Sequence, residues 1–318
     1  MKLLVRPIAA ALLIMASSGA GGAVIAPAPP APPSTYTLPV RSVFVGNSAE
    51  LAAAVASGTP QDIVLRDGVY RADAALAVVC GHRLYAEHSG RAVLTVGLSL
   101  GSDDCAGGGR VQGLAFDLQR PAATAGGAAI EVWGTARGTI LADITIDGHR
   151  IADAGILARQ PEGLKIQRVV AKNFLSWGVF VDADEFDLAV VEPPLLEDID
   201  VVNVGRAVPG SSDGTAEACI WVGNTATGRR FRVRHCAWMG LWTGTAAKNA
   251  QFSDVDIDDI GSSRRPSTGL YLEHFTTDTT FERFRIGPNV TVGVECEWAD
   301  PAWDSRPGCD QGCSILPA

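Results

Sequence analysis

Four aromatic residues share one repeated position in the chain, each one residue after the anchor of a short apolar strand: Phe180, Trp221, Trp242 and Tyr271. Flat apolar rings with a polar edge can stack on sugar rings, and a row of rings suits a chain of sugars. Gly223 and Gly244 follow two of the rings and leave space beside them, as a groove requires. We predict that a sugar-binding row consists of Phe180, Trp221, Trp242, Tyr271 and Trp298. A stripe covered by the intervening loops is the alternative.

Acidic residues stand two positions further along the same strands, where Glu273 and Glu297 are equivalent residues of consecutive repeats. Two carboxylates about 5 Å apart fit a retaining glycosidase, and carboxylates two repeats apart approach the inverting spacing. We therefore predict Glu273, Glu297 and His274 as catalytic residues. The alternative is that these acids are merely solvated or bind calcium, and no other metal or cofactor is expected.

The elements that must position these residues recur as an apolar-x-x-apolar-x-apolar triplet. A second apolar strand, usually opening on glycine, follows each triplet. The alternation at period two, the many Val and Ile residues and the punctuation by Gly, Asp and Asn favour strands over a helical solenoid. Seven triplets occur, their central residues are 21 to 35 positions apart, and only Arg234 breaks the pattern: Val111-Leu114-Phe116, Leu141-Ile144-Ile146, Ile166-Val169-Ala171, Leu196-Ile199-Val201, Phe231-Arg234-Cys236, Phe252-Val255-Ile257 and Phe281-Phe284-Ile286.

Strands that recur in every repeat without a crossover helix must stack in parallel on the next repeat, and each coil then buries a slice of one core. The sequence therefore predicts an all-β, single-stranded parallel β-helix. The central apolar residues are predicted to point into its continuous core: Leu114, Ile144, Val169, Ile199, Val255 and Phe284.

Polar residues on the outward face of the triplet strands give three further predictions. Asp200, His235 and Asp256, followed by Arg285, could bind a metal or move protons, although an ordinary ion-pair network is the plainer interpretation. Two structural ladders are also expected, an ion-pair ladder of Asp143, Arg168 and Asp198 and an asparagine ladder of Asn173 and Asn203.

The chain begins with the parts of a secretory signal peptide over residues 1–20, a positively charged start, an apolar run and small residues. A Pro-rich tether and entry segment follows over 21–47, then the β-helix domain over 48–298 and a C-terminal loop over 299–318. We predict a soluble, monomeric protein, secreted or periplasmic, with no membrane contact after signal removal. A retained N-terminal anchor is the alternative.

Charge bears on the partner. The formal net charge of −9 becomes −11 once Lys2 and Arg6 leave with the signal peptide. An acidic protein repels nucleic acid and long polyanions, so neither is expected as a partner.

Seven cysteines leave one without a partner. In an exported chain, Cys80 and Cys105 can form a disulfide across an irregular early coil. Cys309 and Cys313 can pair locally. Cys236 and Cys296 fall on inward positions, so we predict buried thiols for both. None of the spacings indicates a zinc site.

The stretch from Ser48 to Tyr70 predicts a short helix with Leu51, Ala54 and Val55 on one face, ended by Gly58 and followed by a first strand. This helix, with Asp62-Ile63-Val64-Leu65 and Gly68-Val69-Tyr70, resembles the N-terminal cap and first coil of the pectate-lyase-like superfamily, particularly the branch of chondroitinase B and alginate lyases. The resemblance covers residues 48–298 and implies a right-handed β-helix from about residue 60, capped by a helix at about 48 to 57.

The resemblance carries no catalytic residues across. The superfamily hosts lyases, glycosidases, esterases, adhesins and proteins without enzymatic function, and the lysine and arginine pair of the chondroitinase B branch has no matching positions here. The resulting hypothesis is an exported carbohydrate-active protein, a glycoside hydrolase or else a polysaccharide lyase, that acts on a polysaccharide or cell-surface glycan. The alternatives are a non-catalytic glycan-binding or surface-adhesion β-helix and a purely structural protein.

Overall fold

The computed structural model describes the following residues, all of which belong to the compact unit formed by residues 33–318: 36–101, 108–121, 124–133, 137–159, 162–182, 192–205, 218–223, 225–244, 249–261, 267–273, 276, 278–296 and 314–317. The predicted signal peptide and most of the predicted tether lie outside them. Among the described residues, no helix is long and apolar enough to cross a membrane.

The described residues form one helix and two parallel sheets. Helix α1 spans Ser48–Val55. The strands of sheet A are β1 (Ser42–Val45), β2 (Asp62–Leu65), β3 (Gly68–Tyr70), β5 (Arg83–Ala86), β6 (Ala92–Leu94), β8 (Arg110–Gln112), β9 (Ala115–Asp117), β11 (Ile140–Asp147), β13 (Lys165–Phe174), β15 (Leu195–Val204), β17 (Thr227–Cys236), β19 (Gln251–Ile260), β21 (Thr280–Ile286) and β23 (Ser314–Pro317). Those of sheet B are β4 (Leu76–Val78), β7 (Leu98–Leu100), β10 (Ala128–Val132), β12 (Ala154–Arg159), β14 (Trp177–Asp182), β16 (Ala218–Val222), β18 (Met239–Thr243), β20 (Thr268–Leu272) and β22 (Val292–Cys296).

From β11 onward, successive coils contribute one strand to each sheet, and each strand pairs in parallel with its equivalent in the next coil. In the earlier coils two short strands of sheet A take the place of one long strand, so that β8 and β9 both pair with β11. The predicted parallel β-helix is therefore confirmed. The β-helix extends beyond the predicted bounds of 48 and 298 at both ends. Strand β1, which precedes residue 48, pairs with β2, and strand β23, near the C-terminus, pairs with β21.

The core lies between the two sheets. The six central triplet residues predicted to be inward are all buried, with Ile199 1% exposed and Phe284 7% exposed. They belong to one continuous cluster that runs from Val45 to Phe284. The prediction of a continuous core is confirmed, and the aligned apolar slices explain why coils of different loop length still stack.

The inward triplet of β17 lies three residues earlier in the chain than predicted. Phe231 pairs with Ile199 and Val255, and Gly228 pairs with Leu196 and Phe252. The inward set of this coil is therefore Gly228, Phe231 and Val233, and Arg234 does not break it. A Cβ on Gly228 would lie 2.6 Å from ring atoms of both Phe231 and Phe252, so these rings fill the space that the glycine leaves.

Because of this shift, Asp200, His235 and Asp256 are not equivalent residues of successive coils, and the predicted set does not form. Arg232, not His235, pairs between Asp200 and Asp256. Asp256 is salt-bridged to Arg285 and lies 3.4 Å from Arg234, which supports the plainer ion-pair interpretation. His235 lies further along, with Nδ1 2.5 Å from Asp259 Oδ2. Burial raises the pKa of Asp200, against the opposing effect of the neighbouring arginines.

An ion-pair ladder with alternating charge stabilises the outer face of sheet A. Arg168 donates two hydrogen bonds, of 2.6 and 3.0 Å, to the carboxylate of Asp143. Arg283 likewise donates two, of 2.6 and 2.9 Å, to the carboxylate of Asp254. The hydrogen bonds from Arg283 hold the pKa of Asp254 below its usual value. Six successive coils contribute, each with a left-handed φ of 51 to 58°: Asp143, Arg168, Asp198, Arg230, Asp254 and Arg283. The predicted ladder is confirmed and is twice as long as expected.

The asparagine ladder is also confirmed. Asn203 donates its side-chain amide hydrogen bond to Asn173 Oδ1, and Asn173 donates to Asp147 Oδ1 over 2.8 Å. Both asparagines have a left-handed φ of 65°, which short amide side chains tolerate better than most residues do. The ladder thus links the ends of three successive sheet A strands, β11, β13 and β15, through their side chains.

Helix α1 covers the first coil as predicted, with Leu51, Ala54 and Val55 buried. Its N-cap is Asn47, whose side chain accepts from the amide of Glu50 at 3.0 Å. Ser48, the first residue of the helix, accepts from the amide of Arg71. The helix therefore begins at the predicted residue and ends at Val55, two residues before the predicted end.

The cysteine predictions require correction. Cys236 forms a disulfide with Cys219, and Cys296 is also disulfide-bonded, so the prediction of buried thiols is wrong for both. Cys80 is disulfide-bonded, and its pairing with Cys105 stays a prediction. Cys105, Cys309 and Cys313 lie outside the described residues. The alternation within a strand predicts which residues point inward but not which of them meet across the two sheets. Cys219, at the start of a strand in sheet B, faces Cys236 at the end of a strand in sheet A.

Candidate functional site

The predicted aromatic row lies on the outward face of sheet B. Phe180 in β14 pairs with Trp221 in β16, Trp221 pairs with Trp242 in β18, and Trp242 pairs with Tyr271 in β20. All four side chains are half-buried, whereas the residues on either side of each ring are buried. The row exists because the alternation within each strand turns every second side chain outward and the parallel register aligns the coils.

The rings pack against one another instead of lying flat in a common plane. Phe180 and Trp221 are stacked, with ring centroids 4.4 Å apart and planes 10° apart. Trp242 meets both Trp221 and Tyr271 edge to face, at centroid distances of 6.4 and 5.3 Å. The result is a continuous aromatic ridge across four coils, in which the first two rings are parallel and each later ring is turned against the one before it.

The glycines beside the row have a different role from the one predicted. A Cβ on Gly223 would lie 2.7 Å from Trp221 Cη2, and a Cβ on Gly244 would lie 2.1 Å from Trp221 Cζ2. The indole of Trp221 therefore occupies the space above both glycines. They do not leave open space for a groove but allow the ring to lie down against the sheet.

Glu273 is oriented by the row. Trp242 Nε1 donates a hydrogen bond of 3.2 Å to Glu273 Oε2. The backbone of Glu273 is held as well, because its amide donates to the carbonyl of Thr243 and its carbonyl accepts from the hydroxyl of Thr276. The carboxylate is half-buried and its other oxygen has no hydrogen-bond partner among the described residues. It can accept a hydrogen bond from a ligand hydroxyl or amine that contacts the ring.

The other predicted members of the site, His274, Glu297 and Trp298, lie outside the described residues. Their roles, and the pairing of Glu273 with Glu297 as two catalytic carboxylates, stay predictions. Glu295, which extends the aromatic row by one coil, is exposed and accepts a hydrogen bond of 2.7 Å from Thr268.

Sequence reasoning missed two tryptophans that widen the ridge. Trp177 meets Phe180 edge to face at 5.0 Å, and Trp238 meets Trp242 at 6.4 Å. Trp177 is the first residue of β14 and Trp238 immediately precedes β18, so neither shares the ladder position used for the prediction. Their signal was the recurrence of tryptophan within a few residues of a row member.

Calcium binding by the acidic ladder stays a prediction, because Glu297 lies outside the described residues. Within the described part of the chain, Asp67, Glu87 and His88, after β2 and β5, form a group with the geometry to hold a metal. Asp67 Oδ1 already lies 2.9 Å from His88 Nδ1, and Asp67 Oδ2 lies 3.4 Å from Arg91. These polar contacts account for the group without an ion.

No protein-family model and no curated protein matches the sequence. Among solved structures, the chain is similar to the A-module of mannuronan C-5 epimerase AlgE4 from Azotobacter vinelandii, with a TM-score of 0.47, 14% identity and coverage of 85% of this chain and 91% of that one. ORF18 of Geobacillus virus E2 gives a TM-score of 0.43 and 9% identity, covering 78% of this chain and 57% of that one. The AlgE6 A-module of Azotobacter vinelandii gives 0.41 and 16%, covering 85% and 89%.

At these values the likenesses carry no argument about chemistry. The architecture itself is a parallel β-helix with a short helix over its first coil.

Proposed function

We propose that this chain is an exported protein that binds polysaccharide along the aromatic ridge of sheet B and uses Glu273 to hydrogen-bond the bound sugars. The observation that carries the proposal is the alignment of Phe180, Trp221, Trp242 and Tyr271 at one outward position of four consecutive coils. Aromatic rings that are half-buried on one face of a regular sheet offer apolar contact area to a sugar ring at low entropic cost.

Binding is the part of this function best supported by the geometry. Trp242 fixes the Glu273 carboxylate beside the ring that would contact the sugar, so a single side-chain pair supplies both apolar contact and a hydrogen-bond acceptor. Turnover needs in addition a second acid or base within reach of the same bond. Glu297 and His274 are the predicted candidates for that role, and a glycoside hydrolase is the form of catalysis that two such carboxylates fit.

Export is supported by the signal-peptide features of residues 1–20 and by the disulfides. The Cys219–Cys236 bond, together with bonded Cys80 and Cys296, fits an oxidising compartment. A protein in that compartment meets cell-surface and secreted glycans, which agrees with the proposed ligand.

The test is a screen of the mature chain, residues 21–318, against a panel of polysaccharides. Binding, new reducing ends and unsaturated products are measured in parallel for the parent and for Glu273→Gln. An enzyme predicts products with the parent and none with Glu273→Gln, although the variant still binds. A binding protein predicts retention on a polysaccharide without products from either. Absence of binding to every member of the panel would reject the proposal.

A further inference from the structure

Two of the row's aromatic rings each have a carboxylate beside them. Glu273 accepts the indole hydrogen bond of Trp242. Asp182 lies over Gly223 with the ring of Trp221, since a Cβ there would be 3.1 Å from Asp182 Oδ1 and 2.7 Å from Trp221 Cη2. A carboxylate therefore accepts the indole hydrogen bond of Trp242, and a second carboxylate lies on the same side of the neighbouring Trp221. An indole and a carboxylate together favour a positively charged group, through the ring quadrupole and through ion pairing.

The charges around the ridge point the same way. In the sheet B strands that carry the row, β14 to β22, the described outward side chains include the carboxylates of Asp182 and Glu295 and no Lys, Arg or His. Glu273 adds a third carboxylate directly after β20. Arg159 of β12 is the register partner of Asp182, and its guanidinium lies 5.3 Å from the centre of the Trp133 ring. Glu273, at the other end of the row, has no Lys, Arg or His beside it among the described residues of these strands.

From this arrangement we infer that the ridge selects glycans whose sugars carry free amino groups. The inference rests on the proposed function and specifies its ligand. An amino sugar stacked on Trp242 can place its ammonium against Glu273, and the charge of Asp182 adds to the negative potential of the ridge. A neutral sugar keeps the stacking but gains only hydrogen bonds, and a uronic acid brings a second carboxylate to a site that already holds several. The expected order of affinity is amino sugar, then neutral sugar, then uronate.

The experiment compares three oligosaccharides of equal length by titration calorimetry with the mature chain: β-linked glucosamine, its N-acetylated counterpart and a uronate. The glucosamine oligosaccharide should bind most tightly and should lose its advantage at high salt, because partly exposed ion pairs are screened. Glu273→Gln and Asp182→Asn should each reduce the preference for glucosamine over N-acetylglucosamine by about two- to fivefold, on the scale of exposed ion pairs. Glu282→Gln is the matched control, since it removes the same charge from a half-exposed carboxylate on sheet A and should leave the preference unchanged.

Failure of this inference differs from failure of the proposed function. Equal binding of all three oligosaccharides, or tightest binding of the uronate, would overturn the charge selection while the glycan-binding function stands. A preference for glucosamine that Glu282→Gln weakens as much as Glu273→Gln would show that net charge, not the ridge, causes it, and would also overturn the inference. Binding of none of the three by a folded parent chain would count against both this inference and the proposed function.

Discussion

Gly178 allows the two sheets to approach closely, and adding one methyl group there should destabilise the protein. A Cβ at residue 178 would lie 2.2 Å from Val201 Cγ1 and 2.9 Å from the carbonyl oxygen of Cys219. The φ of Gly178 is not left-handed, so the cost of Gly178→Ala is steric. Overpacking of a well-packed core costs about 1 to 3 kcal/mol. Because a backbone carbonyl is one of the atoms that must move, we expect the upper end of that range.

The fold supplies a matched control for this substitution. Gly293 is the equivalent glycine of the last sheet B strand, and a Cβ there would meet its nearest neighbour, Ile286 Cδ1, at 3.5 Å, which is ordinary contact. Gly293→Ala should therefore be neutral or slightly stabilising, by about 0.4 to 1 kcal/mol from reduced freedom of the unfolded chain. Both variants add one methyl group at the same strand position, and they differ only in the coil of the β-helix that carries it.

The assay is the unfolding midpoint, by heat and by denaturant, of the parent and both variants. At about 2 to 4 °C per kcal/mol, Gly178→Ala should melt roughly 5 to 16 °C below Gly293→Ala. Adding Val201→Ala removes the closest clashing methyl, so the double variant should be more stable than the sum of the two single changes predicts. Equal midpoints for Gly178→Ala and Gly293→Ala would refute the close approach of the sheets at this corner.

Three further perturbations test other parts of the fold. Ile199→Ala should cost about 2 to 5 kcal/mol as a large-to-small change at a residue 1% exposed, measured by denaturant unfolding, and a loss below 1 kcal/mol would place Ile199 outside the core. Arg230→Asp should cost about 0.5 to 2 kcal/mol, more than Arg230→Met, because it both removes an exposed ion pair with Asp198 and adds like-charge repulsion of similar size; equal losses would refute the ladder's electrostatic role. Tyr36 should titrate at about 12 in an absorbance titration, since burial and then the charge of Asp143 raise the pKa of its phenol from 10.0. Its contribution to stability should be complete below pH 10 and should fall as the pH rises toward 12, and Tyr36→Phe should lack that fall.

The sequence predicted the architecture well because the physics of a stacked coil is repeated in every coil. Triplets such as Leu196-Ile199-Val201 indicated both the two-residue period of the strands and the residues that point inward. All three residues of this triplet belong to the buried core cluster. The same repetition placed Phe180, Trp221, Trp242 and Tyr271 on one ladder. A feature seen in six coils can be recognised even when one coil departs from it.

The errors arose where one coil differed from the rest. In β17, Gly228 replaces a large inward residue and the rings of Phe231 and Phe252 fill its place, so a search for apolar triplets slipped onto Arg234. Because of this error in register, His235 was assigned to the wrong ladder. The continuation of the ion-pair ladder through Arg230 and its neighbours was not recognised.

Contacts between different positions of a coil are also invisible in a one-dimensional pattern. The facing of Cys219 and Cys236, the indole of Trp221 lying over Gly223 and Gly244, and the hydrogen bond from Trp242 to Glu273 all depend on where the chain turns between the sheets. Loop lengths vary from coil to coil, so residue spacing along the chain cannot report those contacts.

The central claim is that the aromatic ridge binds glycan, and the most direct measurement is the affinity of Trp242→Ala for the oligosaccharide that the parent binds best. Phe44→Ala is the control, because Phe44 is an aromatic residue 46% exposed on β1 of the other sheet. Both variants are compared below their unfolding midpoints. The account predicts that Trp242→Ala binds at least about fivefold more weakly, which corresponds to about 1 kcal/mol, while Phe44→Ala binds as the parent does. Unchanged affinity in a folded Trp242→Ala variant would contradict it.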